Sequence, residues 1–194
     1  MAKGCAIQIN IIGEHVARLA GEQAREQVMA GSEAITASSS PAKVACWVQG
    51  AMARLDALVD EETRRRIMGD CGRNCALAHQ GTIDRRKAQR RRYATEDAFL
   101  EAEQRNPAVG MRLVREGDVV YQFYTPHDYR HPMRCYCSLT RGLPEGETAS
   151  LTFCECSRGF VQETWEQILG RPVRVEVLES AVSGARECKF AIYL

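Results

Sequence analysis

The chain has 194 residues, with 26 Lys+Arg against 25 Asp+Glu and a formal net charge of +1. At 45% hydrophobic and 26% charged residues it has the composition of a globular protein, not of a disordered one. No stretch reaches the roughly 18–20 apolar residues of a spanning helix, and near-zero net charge argues against a protein that coats nucleic acid.

Near the N-terminus Cys5, Ile7, Ile9 and Ile11 alternate with Ala6, Gln8 and Asn10. A period of two predicts a short strand or extended arm. Gln8 and Asn10 also interrupt the apolar run, which makes a poor export signal, so a cytoplasmic location is expected. Residues 14–29 place Val16, Leu19 and Ala20 at helical spacing. The serines of 31–40 mark a linker. Residues 1–40 are therefore expected as an N-terminal arm and helix, and residues 41–194 as one α+β ligand- and metal-binding domain. Ser40-Pro41 is a capped helix start, and Val44, Val48, Met52 and Leu55 give that helix its apolar face. Asp60 caps a further helix running into the Cys71 region. A charged helix is expected over 83–104, ended by Asn106-Pro107.

From there the pattern becomes β. Residues 111–115 and 119–124 flank Gly117-Asp118 as a hairpin. Residues 134–139 and 149–156 are expected as a second pair of strands. Ser157 caps a helix carrying Phe160, Trp165, Ile168 and Leu169, which Gly170 and Pro172 end. Residues 173–178 and 188–194 form a last hairpin. A helical first half on an antiparallel sheet with one inserted helix is an α+β fold.

The nine cysteines are the unusual feature. An odd count without an export signal argues against a disulfide framework. Six fall in close pairs: Cys71/Cys75, Cys135/Cys137 and Cys154/Cys156. Cys188 lies near the C-terminus, and Cys5 and Cys46 stand alone as buried packing residues. On the expected second hairpin, Cys137 lies opposite Cys154 and Cys135 opposite Cys156, so four sulfurs share one patch. If helical, Cys71, Cys75 and His79 stand at i, i+4 and i+8 on one face. A helix end at Gly69–Gly72 that points its thiols toward the sheet is the alternative. Thiolate is a soft ligand for zinc or an iron–sulfur cluster, although the spacings match neither the zinc ribbons nor the common ferredoxin runs. Redox thiols and inert packing compete with metal binding.

The four histidines say less. His127 and His131 flank Asp128 in a loop, and His15 reads as a surface helix residue. Residues 85–92 hold six cations, without which the chain would be net acidic. With no aromatic interleaved for base stacking and acids following at Glu96, Asp97, Glu101 and Glu103, a solvated helix face is preferred to a nucleic-acid interface.

Three segments carry a resemblance. They are Phe153-Cys154-Glu155-Cys156-Ser157-Arg158-Gly159, Leu169-Gly170-Arg171-Pro172-Val173, and Ser183-Gly184-Ala185-Arg186-Glu187-Cys188-Lys189-Phe190. Together residues 151–194 resemble the bacteriochlorophyll 4-vinyl-reductase-type domain, which also forms the hydrocarbon-sensing part of phenol-responsive activators. The resemblance implies zinc held by Cys154 and Cys188. Ser180 and Val177 stand where that family has its middle cysteine and glutamate, so its site does not carry over intact. Cys71 and Cys75 are the expected completing ligands, with Cys135, Cys137, Cys156 and His79 as competitors. The closing Gly184–Phe190 motif is also similar to aminothiazoline-carboxylate hydrolase-like proteins, which keeps a metal- or thiol-dependent enzyme open as the alternative. The expected function is a cysteine-bound zinc site beside a pocket for a small molecule. Homodimerisation stays open.

Overall fold

The computed structural model describes residues 2–126 and 133–194. Its first element corrects the reading of the N-terminus. Helix α1 (Ala2–Ala20) replaces the expected strand, because Ile9, Ile12 and Val16 form a helical stripe that is buried, whereas Ile7 of the alternating set is 60% exposed. Gly21, at φ +89°, separates α1 from α2 (Glu22–Val28). Ile9, Ile12, Val16, Val28 and Ile35 share one buried cluster with Val44, Val48, Met52, Leu55, Ile67 and Met68. The first 40 residues thus pack into the same core as the helices that follow.

Helix α3 (Pro41–Leu58) starts as expected, with the Ser40 hydroxyl accepting from the Lys43 N–H at 3.2 Å. Helix α4 (Glu61–Ala78) starts where Asp60 accepts from the Thr63 N–H at 2.9 Å. The expected long charged helix is two: α5 (Gln80–Arg90) and α6 (Glu96–Arg105). The second begins at Thr95, whose hydroxyl accepts from the Ala98 N–H at 3.1 Å. This break lets part of the basic run turn inward instead of facing solvent. Arg86 pairs with the buried Glu103 at 2.5 Å and lies 5.0 Å from the centre of the Trp165 ring.

Strands β1 (Met111–Glu116) and β2 (Val119–Tyr124) form the expected hairpin, with Gly117 at φ +60° in the turn. Helix α7 (Glu155–Leu169) precedes β3 (Arg174–Glu179) and β4 (Cys188–Tyr193). The sheet is antiparallel throughout, in the order β1-β2-β4-β3. The fold is α+β, as expected.

The second hairpin is absent. Residues 134–143 run as turns, closed by the Thr140 and Arg141 N–H groups on the Cys137 carbonyl at 3.2 and 2.9 Å. Leu151–Cys154 is a 3-10 turn, in which the Ser150 hydroxyl accepts from the Thr152 N–H, and it leads straight into α7. The cross-strand pairing of Cys137 with Cys154, and of Cys135 with Cys156, therefore does not form. The hydrophobic alternation that suggested strands is used here to pack loops onto helices: Leu139, Leu143, Ala149 and Phe153 belong to the helical core.

Helix α7 joins the two halves. Phe153 and Cys154 at its start lie in the helical core, while Val161, Trp165 and Ile168 lie in the sheet core. Its N-terminal half crosses α4 backbone to backbone. A Cβ added to Gly72 would sit 1.9 Å from the Cys156 carbonyl oxygen, and one added to Gly159 would sit 2.1 Å from the Gly69 carbonyl oxygen. No residue larger than glycine fits either position without moving a helix, and such overpacking costs about 1–3 kcal/mol. Gly72→Ala is expected to lower stability by about that amount in chemical denaturation. Gly81→Ala, in the following helix α5 and with open space around the added methyl, should instead raise it by about 0.4–1 kcal/mol. Equal effects from the two variants would contradict this account of the crossing.

Candidate functional site

The crossing determines which thiols meet. With α4 pressed on the first turn of α7, Cys71 and Cys75 come beside Cys156. The 134–143 segment closes over them. Its Tyr136 hydroxyl donates to the Gly110 carbonyl at 3.1 Å, and Ser138 donates to the Gln8 side chain at 3.2 Å. Arg134 donates to the Glu147 and Ala181 carbonyls at 2.9 and 3.4 Å. These ties place Cys135 and Cys137 over the helix pair.

A cavity of about 410 Å³ results, with Cys75, Cys135, Cys137, Cys156 and Cys188 in its wall. An inner cavity of about 250 Å³ shares Gln8, Cys75, His79, Cys137, Phe153 and Cys156 with it and adds Cys71. Six cysteines from four separate segments thus line one joined space. Cys46 is exposed on α3 and lies outside it.

The expected ligand set is only partly assembled. Cys71 and Cys75 share the inner cavity with Cys137 and Cys156, the competing pair. Cys154 lines neither cavity: its sulfur lies 2.8 Å from the Ser180 hydroxyl, and the Cys188 sulfur accepts from the Ala181 N–H at 3.4 Å. Among the described residues, no three His, Cys, Asp or Glu side chains are gathered as a metal-ligand group. His127, Asp128 and His131 lie outside the described residues.

Burial governs the electrostatics. It pushes the thiols of Cys71 and Cys137 up to about 12 and that of Cys188 up to about 11, and it raises Cys75, Cys154 and Cys156 as well. Neighbouring thiolates add to the shift: Cys137 feels Cys135, Cys75 and Cys5. Cys5, read from the sequence as isolated, therefore belongs to the same neighbourhood. At neutral pH these six thiols are uncharged, the opposite of the depressed values that make a reactive cysteine. Arg73, between Gly72 and Asn74 on α4, lies 3.7 Å from Asp70, with 47% of its side chain exposed.

The cavity's other walls were not anticipated from sequence spacing. Tyr124, Tyr136, Phe153 and Phe160 supply aromatic surface, and Arg141 stands in the wall of the outer cavity. His79, at the end of α4, donates from Nδ1 to the Cys75 carbonyl at 2.8 Å, since a carbonyl can only accept. That bond selects the tautomer with its proton on Nδ1.

The whole chain, residues 1–194, matches a family described as a family of unknown function (DUF6144), and the chain belongs to that family. No curated protein matches it.

The raised thiols make stability depend on pH. A neutral thiol favoured by folding stabilises fully below its ordinary value near 9, and that stabilisation is lost as pH rises toward the folded value. The denaturation midpoint of the reduced, metal-free protein should be flat at neutral pH and fall between about pH 9 and 12. Replacing Cys71 and Cys137 together with alanine should make that alkaline fall shallower, with Cys75, Cys154, Cys156 and Cys188 supplying what remains. An alkaline limb unchanged in the double variant would contradict the burial of these thiols.

Proposed function

We propose that the chain is a small-molecule-binding domain of the vinyl-reductase and hydrocarbon-sensor type whose thiol cavity also holds a soft metal ion, zinc in the first instance. The observation that carries this reading is the convergence of six cysteines on one joined cavity. The outer cavity, at about 410 Å³, falls within the roughly 300–1,000 Å³ usual for small-molecule sites and has the aromatic lining such sites favour. The adjacency of Cys154, Ser180 and Cys188 also supports the resemblance, which aligned these three positions on the sensor family's metal ligands.

The donors suit a soft metal, and the inner cavity offers the four sulfurs of a tetrahedral site: Cys71, Cys75, Cys137 and Cys156. In the structure these thiols surround the space without being gathered on one point, so loading draws them together. A zinc ion with four thiolates has no open position and acts structurally. An iron–sulfur cluster is the alternative occupant of the same sulfurs. A thiol-dependent enzyme is the weaker reading, because burial keeps the cavity thiols protonated. No described helix is long and apolar enough to cross a membrane, and the free thiols suit the reducing cytoplasm where we place the protein.

Metal analysis of anaerobically purified, reduced protein tests the assignment. The parent should carry bound metal and lose it on acidification, because the thiolates must be deprotonated to bind. Cys71→Ser and Cys137→Ser should lose it, while Cys154→Ser keeps it. A metal-free parent, or full occupancy in Cys71→Ser and Cys137→Ser, would overturn the reading.

A further inference from the structure

The outer cavity has an unusual charge pattern. Among the described residues its lining includes thiols, aromatic rings and the neutral side chains of Gln8, Ser138 and Ser157, and a single permanently charged group, Arg141. Thirteen ion pairs hold other arginines of the described chain against carboxylates. The Arg141 guanidinium is in none of them and makes no side-chain hydrogen bond among the described residues. Its backbone, by contrast, is fixed: the Arg141 N–H donates to the Cys137 carbonyl at 2.9 Å, and Gly142 lies so close to Pro41 that an added Cβ would be 2.3 Å from its carbonyl carbon. A cation without a charged partner among the described residues is thus held on a fixed turn beside a mostly apolar cavity.

We propose that the cavity takes a small organic monoanion, with its apolar body among Tyr124, Tyr136, Phe153 and Phe160 and its negative group on Arg141. This rests on the reading of the cavity as a small-molecule site, and it names the class of molecule. Arg141 is exposed, so the charged end of the ligand stays near solvent while its apolar part goes inward. That arrangement avoids burying a carboxylate or similar group without water, which would be costly. A planar guanidinium pairs with a carboxylate through two parallel hydrogen bonds. His79 has its Nδ1–H committed to the Cys75 carbonyl. The cavity differs here from a site for a neutral hydrocarbon, which needs no cation.

Benzoate and its neutral counterpart benzyl alcohol are the probes, titrated calorimetrically into the reduced full-length protein and into Arg141→Gln. Metal content is measured on the same samples. Benzoate should bind the parent about ten- to a hundredfold more tightly than benzyl alcohol, the worth of one charge-assisted pair. Arg141→Gln should remove that preference while leaving benzyl alcohol affinity and metal content unchanged. Its exposed side chain makes loss of folding an unexpected outcome, and Arg141→Lys, which keeps the charge but loses the two-bond geometry, should retain part of the preference. Equal affinity for the two probes, or an undiminished preference in Arg141→Gln, would overturn the proposal and leave the small-molecule cavity standing. Binding of neither probe would overturn both.

Discussion

Two helices touch backbone to backbone at Gly69, Gly72 and Gly159, and the rest of the molecule is arranged around that contact. Helix α7 belongs to both cores, so its crossing with α4 sets the sheet relative to the helical layer. The same contact brings Cys71 and Cys75 against Cys156, the first link in the chain of thiols. A side chain at Gly72 or Gly159 would force the helices apart, because the atoms met are backbone; at Gly69 it would meet the end of the Arg158 side chain, 2.5 Å away. The crossing accordingly explains both the fold's joint and the composition of the cavity.

Once that joint is made, the segment from Arg134 to Ser138 is held at several points. It is tied to α1 through Ser138 and Gln8, to the β1 end through Tyr136 and Gly110, and to the β3–β4 connection through Arg134 and Ala181. Each tie is a single hydrogen bond of modest net worth, roughly 0.5–1.5 kcal/mol. Their combined effect is to hold Cys135 and Cys137 over α4 without building them into a sheet. Burial then makes the cavity chemically quiet at neutral pH, since desolvation outweighs the other influences and keeps these thiols protonated. A soft metal bound as proposed would replace those protons, so its uptake would release them.

Much of the fold was legible in local sequence. The caps at Ser40 and Asp60, the Gly117 turn, the last hairpin and α7 each rest on a few neighbouring residues whose preferences the tertiary structure respects. The failures have a common cause. In α1 the alternating set and the helical set overlap at Ile9, and only contacts with α4 and the rest of the helical core decide between them. At 134–156 the alternation of apolar residues is real, but those residues pack against helices that sequence spacing does not reveal. For the site, the thiol identities and the shared face of Cys71 and Cys75 were readable. The partners Cys137 and Cys156 were not preferred, because choosing them depends on a glycine contact between segments almost ninety residues apart.

The central claim is that thiols distant in sequence stand together in one cavity, and phenylarsine oxide tests it most directly. This reagent bridges two neighbouring thiols with loss of water, so it needs no standing thiolate. Peptide mapping of the reduced protein after treatment should find bridges that join Cys71 or Cys75 to Cys137 or Cys156, with exposed Cys46 unbridged. Absence of uptake by the native protein, or bridges confined to other cysteines, would contradict the convergence on which the account stands.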